Sequence, residues 1–188
     1  RENALVIHLT LIPYLSATGE LKTKPTQHSV KTLMESGISA DIVVCRTEHQ
    51  LSDDLKNKLA LFCNVKREAI IQSIDVETIY DVPMKMLNEG LDREVLKKLN
   101  LTPTQKHNLK SWEAFLERFK NPKNKIKIGL VGKYVELQDS YKSILESLIH
   151  AGADNETEIE VVSLHSEKID RKNVQESIKY LDGVIVAP

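Results

Sequence analysis

No stretch of the chain approaches the roughly twenty consecutive apolar residues that a membrane span needs, and the opening RENALVIHL lacks the charged-then-apolar layout of a secretory leader. Excess charge of either sign is missing too. With 26 basic side chains against 27 acidic ones the formal net charge is -1, so no global field draws nucleic acid or an anionic membrane, and any anion site has to be local. Cysteine is scarce. Cys45 and Cys63 lie inside the apolar runs IVVCR and LALFC, where a reduced, buried thiol is the usual state, and neither sits in the small-residue turn that exposes a nucleophile. This thiol usage points to a soluble, cytoplasmic protein. His8, His28, His49, His107, His150 and His165 are scattered without a helical pair at metal-ligand spacing, so no zinc site is indicated. Internal repeats and low-complexity segments are absent as well. What is there reads as globular: 41% hydrophobic and 28% charged residues over 188 positions give material for a core and length for one domain or parts of two.

The organisation is α/β. Residues 4–9 form a nearly continuous apolar run, as expected of a strand inside a parallel sheet, and Pro13 ends it. Pro25 suits a first helical turn, so a helix is expected from about Thr26, with Val30, Leu33 and Met34 on one face and a left-handed stop at Gly37. A second buried strand follows at 41–46. Ser52, Asp53 and Asp54 then supply a capping hydroxyl and two carboxylates for the next helix, and a third strand is expected at 69–73. Residues 104–119 read as a long amphipathic helix with Leu109, Trp112, Phe115 and Leu116 as its stripe, and 121–125, with one Pro and two Lys, as a linker. Beyond it come strand 126–131, helix 140–152, strand 158–164, helix 171–181 and strand 183–187, a parallel βαβαβ pattern. The expected division is therefore 1–120, linker 121–125, and 126–188.

The segment GELKTKPTQ, residues 19–27, carries the most chemistry. Lys22 and Lys24 are two apart on a stretch that should be extended before Pro25, which would project both ammonium groups to one side, and the free amides of a helix N-terminus near Thr26 and Gln27 would add donors to the same anion. A Lys-x-Lys pair is also ordinary composition for a solvated loop. GLVGKY, with Gly129, Gly132 and Lys133, is not a phosphate loop, because the spacing is short and Tyr134 replaces the Ser or Thr that would hold magnesium; it reads as a strand end. His8 reads as a hydrogen-bonded core histidine. Lys123, Lys125 and Lys127 lack interleaved aromatics, and a solvated linker explains them better than nucleic-acid binding.

The run HLTLIPYLSATGELKTKPTQHSVKTLMESGISADIVVCR resembles the signature region of CTP synthases, and KTKPTQHSV is a long, specific match. The likeness continues through KLALFCNV, SIDVETIYDVP and IGLVGKYVELQDSYKSILESL, and is weakest over residues 91–125. It implies a ligase that turns UTP into CTP with ATP and with ammonia from glutamine, and a chain that spans the end of a Rossmann-like synthetase domain and the first βαβαβ of a class I glutaminase domain. Lys22, Thr23, Lys24, Pro25, Thr26, Gln27 and Lys58 are implied to hold UTP or the feedback inhibitor CTP, and Ile74, Asp75 and Val76 the adenine of ATP. From the residues alone, Lys58 reads as an exposed helix lysine and Asp75 as a plain helix cap. The same likeness implies Mg2+ bound by groups outside this chain, GTP as an activator and a homotetramer, with the phosphate loop expected before Arg1 and the glutaminase nucleophile after Pro188, so that the chain alone is inactive. A non-catalytic nucleotide-binding or assembly module is the competing expectation.

Overall fold

The computed structural model describes residues 3–103, 108–137 and 139–187. The chain divides into two compact units, Arg1–Lys106 and His107–Pro188.

In the first unit the β-branched runs become strands β1 (Ile7–Ile12), β4 (Ile42–Thr47) and β5 (Ile70–Ile74), with the short hairpin strands β2 (Tyr14–Leu15) and β3 (Glu20–Leu21) between the first two. β1, β4 and β5 lie side by side in that order, all parallel, with Ile7 opposite Ile42 and Val43 opposite Ile70. Helices α1 (Lys24–Glu35) and α2 (Asp53–Cys63) cover one face, where Ile12, Val30, Val43, Cys45, Leu51, Leu59 and Cys63 form a core. α3 (Val82–Glu89) and α4 (Leu91–Lys98) cover the other over Ile42, Val44, Ala69 and Ile71. This second layer stops short of β1. Leu9 and Leu11 share a face with their register partners Val44 and Arg46, yet Leu9 is 66% and Leu11 57% exposed.

Local chemistry explains the helix boundaries. Ser52 accepts a hydrogen bond from the Leu55 amide, as its position before the two aspartates predicts. α1 closes in a Schellman turn: the Gly37 amide donates to Met34 O and the Ile38 amide to Leu33 O, with Gly37 at φ 79°. Its start is earlier than the expected Thr26, because Thr23 already has helical angles and Pro25 tolerates the first turn.

The second unit contains α5 (Lys110–Lys120), β6 (Asn124–Gly132), α6 (Lys142–Asp154), β7 (Thr157–His165), α7 (Val174–Ile178) and β8 (Gly183–Val186). β6 is central and pairs in parallel with both β7 and β8. The start of the long helix expected over residues 104–107, and His107 with it, lies outside the described residues; from Lys110 onward the helix packs on α6. Arg118 fastens it there, donating to Ala153 O at 3.1 Å and to Asp154 Oδ1 at 2.9 Å, at the negative end of α6. The expected linker is also shorter than the sequence suggests, since β6 begins at Asn124. Lys125 and Lys127 are strand residues that pair with Glu158 and Glu160 along the β6–β7 ladder, and Lys123, just ahead of β6, pairs with Glu156. Alternating charges on two adjacent strands supply what an apolar residue count misses. Gly132 ends β6, as its motif implied, and packs beneath Tyr141, whose hydroxyl accepts from the Lys133 and Tyr134 amides.

Candidate functional site

The carboxyl ends of β1, β4 and β5 form one edge of the first unit, the place where an open parallel sheet presents a ligand. β1 leaves that edge through Pro13 and the β2–β3 hairpin, which is closed by the Lys22 amide donating to Pro13 O at 2.9 Å. The Tyr14 ring meets the edge of His49, from the loop after β4, at a centroid separation of 4.1 Å. The hairpin thus delivers Lys22 and the start of α1 to the sheet edge.

Lys24 and Pro25 are exposed, Lys22 and Gln27 half-buried, and Thr23 and Thr26 buried. Lys22 pairs with Glu20, and this hydrogen bond, with the lysine charge behind it, lowers the Glu20 pKa. The geometry differs from the expected extended stretch: Thr23 sits at φ -84° and ψ -15°, so strand alternation does not set the two lysines on one side. The amide supply is also smaller. The Gln27 amide already donates to Thr23 O at 3.1 Å, and Pro25 has no N–H, which leaves the Lys24 and Thr26 amides at the helix start. The Thr26 side chain points into the core, with its hydroxyl 3.1 Å from both the Thr10 hydroxyl and Leu11 O. Thr23 Oγ1 accepts from Gln27 Nε2 at 3.1 Å. The two threonines therefore set the helix start in place, and the outward groups are Lys22, Lys24, Pro25 and Gln27.

Lys58 is exposed on α2, and Ile74 ends β5 at the same sheet edge, with Asp75 and Val76 directly after it. The Asp75 amide donates to Thr47 O at 2.9 Å, and the short helical turn that follows, Ile79–Asp81, is capped by Thr78, so Asp75 is no helix cap. Its carboxylate accepts from Arg46 Nε at 2.9 Å, first through this hydrogen bond and then through charge holding the Arg46 pKa above its usual value. Arg46 is the residue the sequence reading missed. Its only signal was a charged residue closing the otherwise apolar strand IVVCR, and its partner lies 29 positions away. Both thiols are buried as expected, and burial pushes Cys45 up to about 11. His8 Nε2 lies 2.9 Å from Ser29 Oγ, half-buried between β1 and α1. Among the described residues no group of three or more His, Cys, Asp or Glu gathers as a metal site, and no helix is long and apolar enough to cross a membrane.

A family model described as CTP synthase N-terminus matches residues 1–101. The chain is 68% identical over 186 residues to a CTP synthase of Flavobacterium psychrophilum, 99% of this chain and 35% of that protein. It is 68% identical over 187 residues to one of Christiangramia forsetii, and 50% identical over 192 residues to one of Methanocaldococcus jannaschii, covering 34% and 35% of those proteins and 100% and 99% of this chain. The chain thus spans about a third of the length of these curated relatives. The match corrects one expectation: the family model is of the synthetase N-terminus and ends at residue 101, so the chain is not assigned as a fragment running into a glutaminase domain, and the parallel βαβαβ of the second unit carries no class I glutaminase assignment. What is supported is a Rossmann-like synthetase fold.

Proposed function

The chain belongs to the CTP synthase family, and from that premise we propose that its first unit is the nucleotide-holding part of the synthetase, gripping UTP or the inhibitor CTP with the Lys22 to Gln27 turn and Lys58. The observation that carries the reading is the placement of Lys22, Lys24 and the free amides of α1 at the carboxyl edge of the parallel sheet, the edge at which β5 also ends. Two ammonium groups with two main-chain donors suit a triphosphate tail, each charge-assisted hydrogen bond contributing about 1.5–3 kcal/mol. In this reading Gln27 donates to the base or sugar, while Thr23 and Thr26 act by fixing the turn. Ile74, Asp75 and Val76 receive the adenine of ATP, with the Asp75 carboxylate accepting from the exocyclic amine. That carboxylate is shared with Arg46.

The activity proposed for the full-length protein is that of a ligase: ATP phosphorylates the 4-oxygen of UTP, and ammonia derived from glutamine displaces the phosphate to give CTP. GTP as activator and a homotetramer that brings contacts from more than one chain to the nucleotide belong to the same reading. Magnesium accompanies the triphosphates in such chemistry, and since no described cluster here fits a metal, no step is assigned to it in this chain. The 188-residue chain by itself is expected to bind nucleotide without forming CTP. The test is Lys22→Ala with Lys24→Ala in the full-length protein. Affinity for UTP and CTP should fall at least about tenfold, and unchanged affinity for both refutes the site. Sedimentation of the chain with and without CTP separates binding from assembly, because an oligomer indifferent to CTP favours a scaffold role.

A further inference from the structure

Glu89 is the last residue of α3, followed by Gly90 at φ 81°. A carboxylate there faces the negative end of the helix dipole, so its position is unfavourable unless neighbours compensate. Three groups do. Gln72 Nε2 donates to Glu89 Oε1 at 2.7 Å, and Lys56 Nζ and the Gln72 amide approach Oε2 at 3.1 and 3.4 Å. The Gln72 side-chain oxygen in turn accepts from the Leu51 amide at 3.0 Å, just ahead of the Ser52 cap of α2. Gln72 is 6% exposed and the Lys56 side chain 14%, so these bonds are shielded from water. One wall is open: Lys56 and Glu89 also line a cavity of about 270 Å³ with Arg67 and Arg93.

Every element tied by this carboxylate carries part of the proposed nucleotide site. Lys56 lies on α2 two residues before Lys58, and Gln72 lies on β5 two residues before Ile74. The Leu51 amide anchors the loop whose His49 ring meets Tyr14 of the hairpin. We infer that Glu89 is a positioning residue, which through Gln72 and Lys56 fixes the separation between the pyrimidine-nucleotide contact on α2 and the adenine contact at the end of β5. The inference rests on the nucleotide-site reading above. It adds a residue on α3, outside the set assigned to either ligand, that governs their mutual placement.

The experiment uses the full-length protein with Glu89→Ala and Glu89→Gln, measuring KM for UTP and for ATP separately, kcat and Tm. Glu89→Ala should raise both KM values about tenfold while kcat falls less than about threefold. Glu89→Gln keeps an acceptor for Gln72 but loses the charge facing Lys56, and should fall between Glu89→Ala and the parent. Val95→Ala, in the α4 layer of the core, is the control for lost stability alone. The inference is overturned if Glu89→Ala moves the KM values no further than Val95→Ala; should Glu89→Ala fail to fold, an unaltered KM pair in Glu89→Gln overturns it. Lys58→Ala distinguishes the two levels. A raised UTP KM there with unmoved Glu89 variants sinks only the positioning role, whereas an unmoved UTP KM in Lys58→Ala sinks the site reading beneath it.

Discussion

Replacing Thr26 by valine tests how the start of α1 is held. The residue is fully buried, and its hydroxyl lies between the Thr10 hydroxyl and Leu11 O, 3.1 Å from each. Valine has nearly the same shape, so little cavity forms and the change isolates the polar contacts. Losing the hydrogen bond removes about 0.5–1.5 kcal/mol, and leaving a desolvated acceptor costs about 1–3 kcal/mol, so the sum is set by the stranded Leu11 carbonyl at roughly 1–3 kcal/mol. Thr26→Ser keeps the hydroxyl and deletes one methyl, about 0.8 kcal/mol. The valine variant should therefore be the less stable of the two, although it is the better match in volume. Fluorescence is the wrong assay, because Trp112 is the single tryptophan and lies in the second unit. Amide hydrogen exchange along α1 reads the opening free energy where the change is made. An effect of Thr26→Val below about 0.5 kcal/mol, or smaller than that of Thr26→Ser, refutes the argument that this hydroxyl anchors the helix to β1.

Leu59→Ala, at a position with no exposure in the first core, should cost about 2–5 kcal/mol in the urea unfolding of the first unit, and a loss under 1 kcal/mol would contradict the packing described. Gly132→Ala places a carbon 2.4 Å from the Tyr141 hydroxyl; the second unit should lose about 1–3 kcal/mol, seen as an earlier Trp112 fluorescence transition. Cys45, pushed to about 11 in the fold mainly by burial, keeps its proton where the unfolded chain, near 9.0, gives it up. The folded state is therefore favoured in full below pH 9 and loses up to about 2–3 kcal/mol as pH rises toward 11, a trend that Cys45→Ala should flatten in pH-dependent unfolding.

The strands were legible because β4 opens with the apolar residues Ile42 to Cys45 and β5 with Ile70 and Ile71, and such runs are covered on both faces. The α2 cap was legible because Ser52 and the two aspartates act within one turn. Long-range polar pairing was not. Lys125 and Lys127 look like linker lysines until Glu158 and Glu160 stand opposite them, and Arg46 has no meaning until the register brings it to Asp75. The site was visible at the level of residue type and obscured at the level of role. Thr23 and Thr26 belong to the signature run but turn inward, a choice made by the helical angles of Thr23 and by the contact of Thr26 with the Thr10 hydroxyl, neither of which spacing can encode.

β1 ends the order of the first sheet, and its outer backbone groups alternate with the uncovered side chains of Ile7, Leu9 and Leu11. Such a border works as a template: any extended segment that docks along it gains main-chain hydrogen bonds and a dry apolar seam at once. The solubility of the 188-residue polypeptide should accordingly decline with concentration, and Leu9→Lys should raise it while hardly touching thermal stability. The same strand that places the nucleotide turn is thus the one through which separate copies would first stick together.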